Sequence, residues 1–174
     1  RLGLGMQVMA WLVVLALLTY YFIGVIDRQH NPNTAVVTDI GENGVREVAL
    51  KRNRQGHYVT SGEINGKPVV FLLDTGATGI AIPAAVAADL GIPRGRPFTT
   101  RTANGNTTSY ATRLANVSIG DIELNNVEAG ITPGLQMREI LLGMSFLRHI
   151  EFTQRGDTLT LRQYPQGARS GAGA

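Results

Sequence analysis

The chain has 174 residues, enough for one domain with its own core plus appendages. It contains no Cys, which excludes a disulfide scaffold and a thiolate metal site. The formal net charge is only +3, with Arg and Lys scattered among acids. That pattern argues against nucleic-acid binding, and the groupings Lys51-Arg52-Arg54 and Arg94-Arg96-Arg101 read as solvated faces.

Residues 8–26, from Val8 to Ile26, carry no charged side chain. As a helix this run spans about 29 Å, close to the hydrocarbon thickness of a bilayer. Tyr20 and Tyr21 lie toward its far end, where amphipathic rings favour the interface. A transmembrane anchor over residues 1–27 is therefore expected. A cleaved signal peptide is the alternative, disfavoured by the length of the run and the absence of a small-x-small site after it. Residues 28–44 are polar, include Asn31-Pro32-Asn33 and show no sustained periodicity, so a linker is expected there.

A domain is expected over residues 45–164. Arg46 to Lys51 reads as a first strand. His57 to Ile64 and Lys67 to Leu73 flank Asn65-Gly66, a strong hairpin signal. After a turn, Ile80-Ala81-Ile82 is a short strand. Pro83 suits the first helical position, Ala84 to Leu90 favours helix, and Gly91 suits the stop. Phe98 to Thr102 and Ser109 to Val117 are strand-like on either side of Ala103-Asn104-Gly105-Asn106. Val117 to Ile119 and Ile122 to Leu124 flank Gly120-Asp121, and Val127 to Ile131 gives a further strand before a Pro133-Gly134 turn. Ile140 to Gly143 is a buried strand ending in glycine, Met144 to Arg148 a short helix, and Ile150 to Thr153 with Thr158 to Leu161 a last hairpin. Residues 165–174, rich in Gly and Ala, are expected to be a disordered tail.

The chemistry points to Val69-Val70-Phe71-Leu72-Leu73-Asp74-Thr75-Gly76-Ala77-Thr78. An apolar run reads as a strand buried on both faces, and it delivers a carboxylate to a glycine-bearing turn. A buried charge needs a partner. Two facing carboxylates can share one proton and titrate in coupled steps, so that one deprotonates water while the other protonates a carbonyl. The chain carries one Asp-Thr-Gly, so a second acid in the same geometry must come from a second copy across a two-fold axis. No His-Glu-x-x-His, P-loop or Gly-x-Ser-x-Gly motif competes, and His30, His57 and His149 read as structural or solvent-facing.

Phe71 to Thr78 resembles the active-site signature of retropepsin-like aspartic proteases, and Ile140-Leu141-Leu142-Gly143-Met144-Ser145-Phe146-Leu147 resembles that family's second landmark. The stretch Gly56-His57-Tyr58 to Asn65-Gly66 is similar to the bacterial, membrane-anchored, single-domain branch. The resemblance covers residues 46–162. It implies an all-β closed barrel with one or two short helices, preceded by a single transmembrane helix. It implies an aspartic endopeptidase without a cofactor, a homodimer taking an extended peptide, and a bilayer contact through residues 8–26. It also implies an inner-membrane location with the domain in the periplasm. Asp74 would be catalytic and Thr75 would bond across the two-fold axis. Gly76 would donate its N–H to the carboxylate, Ala77 would fit the crowded pair, and Gly143 would give backbone room. The hairpin with Ala103, Asn104 and Gly105 at its tip would be the flap over substrate. Some relatives carry Ser at the position of Ala77. A serine hydroxyl would favour the ionised acid, so activity is expected to extend nearer neutral pH here. A non-catalytic peptide-binding module and a structural membrane-anchored dimer are the competing readings.

Overall fold

The computed structural model describes residues 2–102 and 105–165. Its first element is a single helix, α1 (Leu2–His30), longer at both ends than the apolar run. Asp27 to Gln29 continue the helix because nothing in them ends it. The Asn31 amide still bonds Asp27 O at 2.9 Å. Pro32 then stops it, since a residue before proline is driven out of helical geometry.

The stretch expected as a linker carries more structure than a spacer requires. Asn31 and Asn33 are buried. A short strand, β1 (Thr38–Ile40), pairs antiparallel with β2 (Arg46–Lys51), and a one-turn 3-10 helix (Glu42–Gly44) lies between them. Periodicity misses this segment because side-chain amides, rather than an apolar face, hold its first residues.

Two sheets build the body. In one, β1 and β2 continue through β11 (Thr158–Gln163) to β10 (Glu151–Arg155), all antiparallel. The other contains β3 (Tyr58–Ile64), β4 (Lys67–Leu73), β9 (Ile140–Leu142), β5 (Ile80–Pro83), β8 (Ile122–Thr132), β7 (Gly105–Ile119) and β6 (Pro97–Thr102) in that spatial order. Pairing of β3 with β7 closes the first six strands into a barrel, and β6 hangs outside on β7. Gly62 makes the closure possible. A Cβ there would lie 2.3 Å from Ser118 O and 2.6 Å from the Phe71 ring.

Asn65 (φ 52) and Gly66 (φ 74) form the β3–β4 turn, as their dipeptide predicts. Residues 122–132, expected as two strands, are the single strand β8. Leu124 packs against the core and Val127, three positions on, is buried, so the face that points inward changes between them. Asn126, at φ 58, sits where it changes. The alternation therefore breaks where the ladder with β7 skips the Ala115–Asn126 pair, although the register is the same on both sides. Phe71, Ile80, Ile82, Leu114, Ile131, Ile140, Leu142 and Phe146 fill the barrel, and Val48, Leu50 and Leu161 join the same core from the second sheet. Burying each such side chain is worth about 1.5–3 kcal/mol, so this cluster sets the register of every strand that reaches the site.

Candidate active site

The barrel contains an unusual crossing. Strand β9 is parallel to β4 and antiparallel to β5, so it threads between the strand that enters the Asp74 loop and the strand that leaves it. Phe71, Leu72 and Leu73 pair with Ile140, Leu141 and Leu142. The ladder then passes straight into the loop, where the Asp74 amide donates to Leu142 O at 3.2 Å.

Five more bonds lock the turn. Ala77 N–H closes it on Asp74 O at 3.2 Å, and Met144 N–H donates to Ala77 O at 2.8 Å. Gly76 N–H donates to Asp74 Oδ1 at 2.8 Å. Ser145 Oγ accepts from Ile80 N–H at 3.1 Å and reaches Glu128 O at 3.5 Å. After α2 (Ala84–Leu90), which follows β5, the next helix is the one-turn α3 (Met144–Leu147); Ser145 stands at its start and so ties that turn to β5 and β8. Sequence reasoning did not single it out. Its only signal was a hydroxyl in the first turn after a strand-ending glycine.

Gly143 works by close approach. A Cβ on it would lie 2.4 Å from both Ala77 O and Gly79 O. No real Cβ tolerates such contacts, so β9 can lie against the loop only with glycine there. The structure thus brings Asp74, Gly76, Ala77 and Gly143 into one bonded unit. Asp74 is half-buried, while Thr75 and Gly76 are exposed. Asp74 and Thr75 also line a cavity of about 290 Å³ with Tyr58, Leu73, Leu147 and Phe152. Tyr58 is buried there, and its hydroxyl has no hydrogen-bond partner among the described residues.

The β6–β7 hairpin pairs from Pro97 with Tyr110 out to Thr102 with Gly105. Gly105 opens β7 at φ 106, while Ala103 and Asn104 lie outside the described residues. The guanidinium of Arg94 stacks 5.3 Å from the Tyr110 ring at the root of this hairpin. The remaining charges serve the scaffold. On β11, Arg162 bonds Glu47 Oε2 at 2.5 Å and Glu151 Oε1 at 3.4 Å, spanning three strands. Glu47 first, by hydrogen bond and charge, raises the Arg162 guanidinium above its ordinary value.

A family model for the gag-polyprotein putative aspartyl protease matches residues 60–149, which run from β3 through the Asp74 loop to α3. An uncharacterized protein from the cobV 5' region of Sinorhizobium sp is 34% identical over 181 residues, covering 93% of this chain and 75% of that protein. An uncharacterized protein of Rickettsia prowazekii is 33% identical over 111 residues, and the match spans only 47% of its length. The crystal structure of a retropepsin-like aspartic protease from Rickettsia conorii superposes with a TM-score of 0.59 at 30% identity, covering 74% of this chain and 96% of that one. With its crossing of β9 between β4 and β5, its locked Asp-Thr-Gly turn and these matches, the chain belongs to the retropepsin-like aspartic protease family.

Proposed function

We propose that the protein is a membrane-anchored aspartic endopeptidase whose active form is a homodimer, with Asp74 from each copy sharing one water. The observation that carries this reading is the Gly76 N–H bond to Asp74 Oδ1 at 2.8 Å on a half-exposed loop fixed from behind by β9 and α3. A hydrogen bond to a charged oxygen is worth about 1.5–3 kcal/mol and fixes its direction. Among the described residues the second oxygen has no hydrogen-bond partner.

In the reaction, one Asp74 carboxylate takes a proton from water as the water oxygen attacks the scissile carbonyl carbon. The partner's Asp74, protonated, gives its proton to the carbonyl oxygen. The resulting diol collapses: the first carboxyl returns its proton to the nitrogen, a diol hydroxyl gives its proton to the partner's Asp74, the C–N bond breaks, and an acid and an amine leave with the pair again sharing one proton. Thr75 stiffens the paired loops, Ala77 fits the crowded acid pair, Gly143 lets β9 lie against the loop, and Ala103, Asn104 and Gly105 cover the bound peptide. The substrate is an extended chain, recognised through its backbone. Residues 8–26 of α1 cross the inner membrane and residues 45–164 form the periplasmic catalytic body. In support, α1 is apolar and none of the residues in its span is buried.

The test uses the full chain in detergent micelles with a denatured protein as substrate. Cleavage by the native chain and its loss in Asp74→Asn, with peptide binding retained, supports the enzyme. Peptide binding without any cleavage by the native chain assigns the fold to a binding module instead.

A further inference from the structure

The end of α1 is built into the catalytic body. His30 Nε2 meets Glu139 Oε1 at 2.6 Å, one residue before β9. Asn53 Nδ2 donates to His30 O at 3.0 Å, and Arg54 Nη1 donates to Gln29 Oε1 at 3.2 Å. The chain then enters the body as a plug. Asn33 Nδ2 donates to Lys51 O at 2.9 Å and Val59 O at 2.7 Å, while Asn33 Oδ1 accepts from the Lys51 amide at 2.7 Å. Ser61 N–H donates to Asn33 O at 3.0 Å, and Asn31 Nδ2 to Ser61 Oγ at 3.2 Å. Asn31, Asn33 and Asn53 are all more than nine-tenths buried. These bonds reach residues 51–61 and residue 139, two separate parts of the fold, so the helix end has neither a hinge nor a free swivel.

From these contacts we propose that α1 is a rigid mount, and that it restricts the enzyme to substrates held in the same membrane. The inference rests on reading α1 as a bilayer span and Asp74 as catalytic. Only one helical turn, Asp27 to His30, separates the apolar run from the joint. From Glu139, three strand residues lead to Leu142, whose carbonyl accepts from the Asp74 amide. Added along this path, Asp74 stands at most about 30 Å above the apolar run. A flexible spacer of the same length would let the cleft sweep a large volume. The mount holds it in a thin layer over the lipid. The fitting substrate class is the extended, unpaired segment of a membrane-anchored protein, close to where that protein leaves the bilayer. Confinement of both partners to this layer raises their mutual concentration without any new contact.

The experiment uses the full chain in lipid vesicles. The sequence has no Cys, so Asp89→Cys on the exposed face of the helix over Ala84–Leu90 gives a single dye site. Energy transfer from that dye to labelled lipid should report one narrow distance. A ten-residue Gly/Ser insertion between Ile26 and Asp27, which leaves the joint intact, should broaden it. A peptide tethered in the same vesicle should be cut at least about tenfold faster than the same peptide free in solution at equal bulk concentration. Its rate should peak at a spacer of about 30 residues, whose r.m.s. length matches the height of Asp74 above the apolar run, and fall for much longer ones. A broad distance distribution in the uninserted protein overturns the inference, as does equal cleavage of free and tethered peptide. If no peptide is cut in either form, the protease reading fails and the substrate class fails with it, while the distance measurement still judges the mount.

Discussion

Gly143 and Ser145 show how little room the Asp74 turn leaves. Gly143→Ala forces a Cβ to within 2.4 Å of two carbonyl oxygens, so β9 or the Asp74 loop must move. The expected cost is about 1–3 kcal/mol in thermal unfolding, together with loss of peptide cleavage. Ser145→Ala removes the acceptor of the Ile80 N–H and should cost about 1–3 kcal/mol. Ser145→Thr keeps the acceptor and should recover much of that loss. In the proposed dimer, Ala77→Ser adds a hydroxyl beside the carboxylate pair, where bonding to the ionised form should shift the pH–rate profile toward acid. An unchanged profile in that variant would remove Ala77 from the site. Asp74, Gly76 and Gly143 were legible in the sequence because an acid or a glycine at the end of an apolar run is conspicuous. Ser145 was not, because its role depends on which strands lie beside it, and spacing does not carry that information.

Among the elements, strand positions were read well where alternation or an Asn-Gly turn marked them, as in β2, β3 and β4. They were read poorly where the inward face changes within a strand, as in β8 between Leu124 and Val127. The end of α1 and the plug after it were invisible, since polar side chains there bond to backbone that is distant in sequence. The consequence for stability is direct. Asn33→Ala strands Lys51 N–H, Lys51 O and Val59 O without their partner. That should cost on the order of 3 kcal/mol, read as a lowered unfolding midpoint of the full chain in micelles. The joint also responds to acid. Partial burial by itself raises the Glu139 carboxyl, but the His30 hydrogen bond, its own backbone bonding and the His30 charge together bring it below its ordinary value. A carboxyl depressed in the folded state contributes stability above its unfolded pKa and loses it as pH falls through the folded value. Amide exchange at residues 28–33 should therefore quicken below the ordinary carboxylate range, and Glu139→Gln should abolish that response.

At the scale of the whole molecule, the proposed dimeric mechanism makes activity a property of pairs, because each chain carries one Asp-Thr-Gly. Mixing equal amounts of native chain and Asp74→Asn, with free exchange, should leave about a quarter of the activity of an all-native sample, because only a quarter of random pairs carry two acids. A residue of about one half would mean that each chain acts alone. Dilution should lower specific activity as pairs dissociate, and the slope of that fall measures their affinity.

In the anchored protein we propose, the asparagine plug also decides where the body can be severed from its helix. Thr34, Ala35 and Val37 are exposed and look like an inviting place to sever the chain. A cut there would carry Asn33 away with the helix and leave Lys51 and Val59 facing an empty notch. Release that keeps the protease whole has to happen upstream, within the last turn of α1 before Asn31.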